Sequence, residues 1–345
     1  MNLPDANDEL HQILGEQYAV SYPKPSKLIT LLLASTRHAV GYWLDYFSGS
    51  GTTAHAIINL NRRDGGKRKY ILVEMGEYFD TVLKPRIKKV VYSESWKDGK
   101  PVADKNGAFN GISHCFKYNR LESYEDTINN LSLNNQVDPQ KLSDEYILNY
   151  LLETETAESP SLLNIEKFKD PTHYRLTVKK SGSDEKVEQA IDLVETFNWL
   201  IGLRVEELDK WRSYDVEFAR EQDPELPDDQ HTRLLVKKRK EKDAYSGEAG
   251  KYQLRLVEGW CCRTAGDTSN TDKVLVVWRK LTDDAEKDAA ILEAVLTKKG
   301  VNQADSEYDL IYINGSHGLQ LSGGSKSRLM SLEETFMAKM WEDAV

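Results

Sequence analysis

Cysteine is scarce: Cys115, Cys261 and Cys262 are the three in 345 residues, and none stands in a CxxC pair. An odd count without ligand spacing excludes a disulfide framework and a zinc knuckle and points to reduced thiols in a cytoplasm. Long hydrophobic runs are missing too. The longest uncharged apolar stretch of the first part, Leu28 to Ala34, is far too short to cross a bilayer, so no membrane role is expected. The N-terminus, MNLPDANDELHQ, has neither a basic n-region nor an apolar h-region, which argues against a secretory signal. There is no internal repeat and no low-complexity tract.

What is present suits a chain that buries a core: 39% of residues are hydrophobic and 30% charged, over a length that accommodates two domains. The net charge of -10 is unevenly spread. Residues 1–120 hold 17 Lys/Arg against 12 Asp/Glu, while residues 121–345 hold 29 against 44. A solvated face is the plain reading of the basic part. The acidic remainder is a poor candidate for wrapping nucleic acid alone, because neutralising phosphates needs clustered cations.

Residues Glu9 to Gly15 read as a short helix. Tyr22-Pro23-Lys24-Pro25 is an extended stop, since each proline pushes its predecessor out of the α region. Ser26 is expected to cap a helix over Lys27 to Arg37 with Leu28, Leu31 and Leu32 on its apolar face. GYWLDYF, Gly41 to Phe47, reads as a strand, Thr52 to Asn61 as a helix stopped by Asp64-Gly65-Gly66, and Tyr70 to Glu74 as a second buried strand. A further helix is predicted over Phe79 to Val91, a loop over residues 93–112, and a strand over Phe116 to Leu121. The stretch Glu153 to Ser161 looks like an acidic linker. Beyond it come a strand at Arg175 to Lys179, a helix at Ala190 to Leu200 and an exposed, charge-dense segment over 218–250. Lys273 to Trp278, a helix near Asp283 to Thr297, and Tyr308 to Ile313 form a second β-α-β pattern. The fold class predicted is α/β: a partial doubly wound, Rossmann-like sheet in residues 1–120, then a mixed α/β domain in residues 121–345.

The chemistry concentrates in the turn Ser48-Gly49-Ser50-Gly51. Glycines let a ligand approach the backbone closely, and the helix starting at Thr52 offers free N–H groups to an anion or carboxylate. Asp45 stands at the first strand end, and Glu74 at the second, where a carboxylate can accept from both hydroxyls of a ribose. Two ligand classes fit. Gly49 to Ala54 satisfies the GxGxxG/A dinucleotide pattern, with Glu74 roughly 20 residues on. The set Asp45, Phe47, Gly49, Gly51 forms D-x-F-x-G-x-G, in which Asp45 suits the amino group of S-adenosylmethionine better than a pyrophosphate it would repel. A strand-turn-helix without a ligand stays open beside both. No Lys-Ser/Thr follows at P-loop spacing.

LDYFSGSGTTAHAIINLNRRDGGKRKYILVE resembles the cofactor motif of β-class amino methyltransferases, and more narrowly that of Mod subunits of type III restriction–modification systems, which are site-specific DNA adenine methyltransferases. Tyr22-Pro23-Lys24-Pro25-Ser26-Lys27-Leu28-Ile29 resembles the family's proline-containing helix motif. Tyr78 to Val82 and Lys84 to Ile87 extend the likeness, which is strong over residues 18–92 and looser beyond. It implies S-adenosylmethionine as cofactor, with Asp45 on its amino group, Phe47 as pocket wall, and Ser48, Gly49, Gly51 and Thr52 forming the turn. It further implies Glu74 on the ribose, and Lys24 and Pro25 on the methionine side. Family members flip adenine from double-stranded DNA and stack it on the aromatic ring of an Asp/Asn-Pro-Pro-Tyr/Phe motif. No such tetrapeptide occurs here: Asp138-Pro139-Gln140, Asp170-Pro171-Thr172 and Asp223-Pro224-Glu225 each break it, and Tyr46 replaces the usual proline after Asp45. The resemblance thus implies the C-terminal portion of such an enzyme. Its expected partners are the missing N-terminal catalytic half and, through the complete enzyme, DNA. A restriction subunit or a second Mod chain is a further expected partner.

Other residues weigh less. His114-Cys115 and Cys261-Cys262 lack metal spacing, and no metal site is expected. His55, Trp43, Trp199, Trp211 and Trp278 read as structural, and Lys67-Arg68-Lys69 and Lys237 to Lys242 as solvated charge or phosphate contacts.

Overall fold

A computed structural model describes residues 5–15, 22–132, 159, 163–180, 183–222, 232–243, 249–301, 306–319 and 326–341. The chain forms two compact units, Met1–Leu121 with Lys180–Glu185, and Glu122–Lys179 with Lys186–Val345. The architecture is mixed α/β. No helix among the described residues is long and apolar enough to cross a membrane.

In the first unit, α1 (Ala6–Leu14) starts where the Asp5 side chain accepts the Asn7 N–H and stops at Gly15 in the left-handed region, burying Leu10, Ile13 and Leu14. Helix α2 (Ser26–Ser35) begins one residue earlier than predicted, with Pro25 at the cap position and no side-chain cap. Ser26 is not a cap because its N–H and hydroxyl both donate to the Glu9 carboxylate. Leu33 is the buried leucine of α2, four residues after the partly buried Ile29, whereas Leu31 and Leu32 are exposed. The i,i+4 spacing, not the leucine count, selects the face.

Strand β1 (Val40–Asp45) pairs in parallel with β2 (Lys67–Leu72) from Val40↔Lys67 to Asp45↔Leu72, with α3 (Thr52–Asp64) as the crossover. Helix α3 buries Ala54, Ala56, Ile57, Ile58 and Leu60, each large side chain worth about 1.5–3 kcal/mol of burial. Gly65 ends it in the left-handed region. One face of the pair, with Trp43 and Tyr70, packs on Ile29, Leu33, Ala56, Ile57 and Leu60. The other face is open: Val40, Tyr42, Leu44, Ile71 and Val73 are exposed, so neither strand is the buried one that its apolar run suggests. Backbone bonds from Val73 N–H to Asp45 and from Ser48 N–H to Val73 carry the pairing past both strands, leaving Glu74 two residues beyond β2.

The helix predicted from Phe79 is a π-turn, Phe79–Leu83, continued by α4 (Lys84–Tyr92). Pro85 lacks an N–H, so the i→i−4 ladder cannot close there, and the wider turn absorbs the gap. The expected loop 93–112 contains a two-residue hairpin, β3 (Trp96–Lys97) and β4 (Lys100–Pro101), turned by Asp98 and Gly99 at positive φ. Phe116 to Leu121 forms no strand; Phe116 instead packs on the same core as Tyr70 and Leu72 of β2. Most of the expected linker 153–161 lies outside the described residues.

The second unit begins with α5 (Tyr124–Asn129), a 3-10 turn (Ile165–Lys169) and the hairpin β5 (Arg175–Lys179)–β6 (Lys186–Ala190). Helix α6 (Leu193–Leu200) is capped by Asp192 and is shorter than predicted because Ala190 belongs to β6. The main sheet comprises β7 (Arg204–Leu208), β8 (Arg212–Gln222), β9 (Thr232–Lys242), β10 (Tyr252–Cys262), β11 (Thr271–Lys280), β12 (Leu310–Ile313) and β13 (Arg328–Ser331). Its order is β13-β12-β11-β10-β8-β9, and β7 also pairs with β10. Strands β11, β12 and β13 are parallel and the remaining pairs antiparallel. The predicted β-α-β is present as β11, α7 (Ala285–Lys298) and β12. Strand β11 is buried on both faces: Val274, Val276 and Trp278 meet Phe197 of α6 and Phe336 of α8 (Leu332–Trp341), while Leu275 and Val277 meet Leu292 and Leu296 of α7. That double burial is why KVLVVW is continuously apolar. The segment expected only as exposed charge forms β8 and β9.

Candidate functional site

A cleft of about 530 Å³ opens at the carboxyl end of β1. One side is the segment before α2, with Tyr22, Pro23 and Lys24; the floor is the end of β1 and its turn, with Asp45, Phe47, Ser48 and Gly49; Thr52, Thr53 and Tyr78 also line it. The turn is shaped by two positive-φ glycines, Gly49 and Gly51. They differ in what surrounds them. A Cβ on Gly49 would meet no atom within 4 Å, so the space beside its backbone is open to a ligand. A Cβ on Gly51 would lie 3.0 Å from Leu83 Cγ, so Gly51 serves close packing on the π-turn.

Asp45 Oδ2 accepts from the Thr53 hydroxyl at 2.5 Å, which ties the end of β1 to the first turn of α3. Ser48 is buried, with both its N–H and its hydroxyl on the Val73 carbonyl. The Thr52 hydroxyl donates to the Lys24 carbonyl at 3.1 Å, joining the helix start to the opposite side of the cleft. Phe47 is 79% exposed at the mouth. Glu74 stands behind the turn: Oε2 accepts the Gly49 N–H at 2.8 Å, and Oε1 accepts the Gly76 N–H at 2.8 Å and the Tyr78 hydroxyl at 3.1 Å. Burial opposes ionisation of this carboxyl, but the Gly76 and Gly49 N–H groups and the Tyr78 hydroxyl outweigh it and hold the pKa below its ordinary value.

Beneath the turn lies a buried polar network that sequence reasoning missed. The Arg86 guanidinium, fully buried on α4, donates to the Ser50 hydroxyl at 2.9 Å, the Thr52 hydroxyl at 3.0 Å and His55 Nδ1 at 3.0 Å, and reaches Glu9 Oε2 at 3.4 Å. Glu9 in turn holds Ser26. Side chains of α1, α3 and α4 therefore meet at one cation under the cleft, and Glu9 ties α2 to them. Burial pushes the Arg86 pKa down to about 10, with Glu9 opposing. Burial, then the charges of Arg86 and Arg62, push His55 well below its ordinary value, so it is neutral and accepts at Nδ1. One signal was readable: Arg86, Ile87 and Val90 share the buried face of α4, a helical position where an arginine must find partners.

Six residues singled out from the sequence, Lys24, Asp45, Phe47, Ser48, Gly49 and Thr52, thus line one cleft. Pro25 holds the start of α2 beside it, Glu74 braces its glycine wall, and Gly51 faces Leu83. The minor candidates resolve into packing. Arg68 is buried on Asp64 and the His38 carbonyl, His114 stacks on Tyr70, and Trp278 lies in the core, while Trp199 is exposed. Burial pushes the Cys261 thiol up to about 11, which makes it a poor nucleophile.

Residues 5–84 match a family model described as DNA methylase. The StyLTI Mod subunit of a type III restriction–modification enzyme from Salmonella typhimurium is 48% identical over 68 residues, 20% of this chain and 10% of that protein. The EcoPI Mod subunit from Escherichia phage P1 is 40% identical over 72 residues, 21% of this chain and 11% of that protein. The type II methyltransferase M.KpnI from Klebsiella pneumoniae is 41% identical over 69 residues, 20% of this chain and 16% of that protein. The aligned segment therefore spans a small part of each relative. Within it, this chain resembles DNA methylases of restriction–modification systems, and the Mod subunits of type III systems in particular.

Proposed function

We propose that residues 1–120 form the donor-binding part of an S-adenosylmethionine-dependent DNA adenine-N6 methyltransferase of the restriction–modification kind, built on a partial Rossmann-like sheet and working in the cytoplasm. The cleft at the carboxyl end of β1 carries this reading, because a carboxylate, an aromatic ring and an unobstructed glycine meet there. Asp45 takes the donor's amino group, Phe47 walls the pocket and Gly49 gives close backbone approach. Ser48, Gly51 and Thr52 hold the turn in shape, Lys24 and Pro25 line the methionine side, and Glu74 accepts from the ribose. The donor supplies a sulfonium-bound methyl group. This chain's residues bind and orient it, and positioning of this kind accounts for much of the rate in transfer reactions.

The open face of β1 and β2 supports a further part of the reading. Parallel strands are ordinarily covered on both faces, and here Val40, Tyr42, Leu44, Ile71 and Val73 are uncovered. Another segment, carrying the Asp-Pro-Pro-Tyr-type motif that the 345 residues do not contain, completes the sheet and brings the target base. Double-stranded DNA is the substrate of that complete enzyme. Residues 121–345 form a C-terminal α/β domain that docks a restriction subunit or a second Mod chain.

Isothermal titration tests the donor site. S-adenosylmethionine and its demethylated product should bind the full chain, Asp45→Asn should weaken them about tenfold or more, and NAD should not bind. Binding of NAD without binding of the donor overturns the assignment in favour of a dinucleotide site, which the glycine spacing also suits.

A further inference from the structure

The nucleoside end of the cleft holds a residue without a role so far. Tyr78 lines the cleft, and its hydroxyl is the one side-chain donor on Glu74 among the described residues, whose other partners are backbone N–H groups. The ring's place is built in. A Cβ on Gly76 would lie 2.5 Å and 2.6 Å from ring atoms Cε1 and Cζ, so residue 76 must lack a side chain for the ring to fold back towards Glu74. The φ of Gly76 is not positive, so backbone conformation does not explain this glycine and ring placement does.

We propose that Tyr78 determines specificity for the nucleoside half of the ligand. Its ring offers a flat apolar surface to the base, and its hydroxyl keeps the Glu74 carboxylate ionised and aimed at the ribose. This rests on the donor-binding reading. A tyrosine hydroxyl donates one bond, while each carboxylate oxygen accepts more than one, so Glu74 can hold Tyr78 and a ribose hydroxyl together. Glu74 then couples three things: the Gly49 turn through Oε2, and Gly76 and Tyr78 through Oε1.

The test is titration of the full chain with S-adenosylhomocysteine and, separately, with methionine, using wild type, Tyr78→Phe and Tyr78→Ala. Tyr78→Ala should weaken S-adenosylhomocysteine about tenfold, in the range of one base–aromatic contact, and leave methionine within about twofold. Tyr78→Phe keeps the ring and should lose only about threefold near neutral pH. It should also move the acid-side loss of binding to higher pH, because Glu74 loses a donor that favours its charged form. Thermal melts accompany each variant. If Tyr78→Ala fails to fold, the acid limb of Tyr78→Phe decides, and an unshifted limb overturns the proposal. Equal weakening of both ligands by Tyr78→Ala, or no weakening, also overturns it. Absence of S-adenosylhomocysteine binding in wild type overturns the donor-binding reading itself, and this proposal with it.

Discussion

Replacing Arg86 by methionine keeps an unbranched apolar stem and removes the guanidinium with its charge and every donor. Five acceptors lose a partner: the Ser50 carbonyl, the Ser50 and Thr52 hydroxyls, His55 Nδ1 and Glu9. Removing one member of a buried ion pair costs about 3–5 kcal/mol, because the remaining charge is left uncompensated. Here the lower end applies. The Glu9 side chain is 17% exposed and keeps two donors from Ser26, and the Ser50 and Thr52 hydroxyls lie 3.3 Å apart, close enough to pair. A loss of about 3 kcal/mol is expected, a large share of the ~5–15 kcal/mol that holds a typical domain together. Adding Glu9→Gln should recover part of it, since the orphaned charge is then gone. Denaturant titration read by tryptophan fluorescence gives the total. Hydrogen exchange of peptides covering residues 48–60 and 84–92 should show the loss there, with the sheet of the second unit unaffected. An Arg86→Met protein within about 0.5 kcal/mol of wild type, or a double variant no better than the single, would refute the view that this cation organises the turn.

Two more outcomes follow from the same unit. Because His55 is held neutral, the unfolded chain takes up a proton near pH 6.5 that the folded unit refuses; stability should fall as pH drops below about 6.5, by up to ~1.4 kcal/mol per pH unit until the depressed folded pKa is reached. His55→Gln should flatten that slope in denaturant midpoints measured from pH 8 to 5.5, and an unchanged slope assigns it to other groups. The two glycines of the turn should separate under substitution. Gly51→Ala meets both left-handed strain of about 1–2 kcal/mol and Leu83, and should chiefly lower stability. Gly49→Ala meets strain and open space, and should cost donor affinity more than it costs stability; the reverse ranking in melts and titrations contradicts the assignment of the two roles.

What could be read from the sequence was local in origin. An apolar run followed by a glycine turn and an amphipathic helix marked β1 and α3, and an apolar run, a helix and a second apolar run marked β11, α7 and β12. Cleft residues from Asp45 to Thr52 were legible because one strand end and one helix start carry them. Features that depend on distant partners were not. Glu9 and Arg86 lie 77 positions apart, and nothing near Ser26 signals that Glu9 will claim its hydroxyl. Strands β8 and β9 were missed because the charge on their outer face, paired across the strands as Asp215↔Lys240 and Glu217↔Lys238, masked the alternating Tyr214, Val216 and Phe218 that pack on the core. Phe116 to Leu121 has strand-like composition but pairs with no strand among the described residues.

Strand β10 gives its first residues, Tyr252 to Leu254, to β8 and its later ones, Val257 to Trp260, to β7, with an irregularity at Glu258/Gly259 between Leu208 and Arg204. Beyond Tyr214, β9 is the one strand beside β8 among the described residues, so most of this hairpin is a two-stranded ribbon, steadied by Arg220 on Glu286 of α7. Two-stranded ribbons are marginal in water, and this one is held by Val216, Phe218 and Val236 packed on the core that β10, β11 and α7 share rather than by a third ladder. Loosening that packing should therefore free the outer part of the hairpin first and leave the ladders joining β10, β11 and β12 in place.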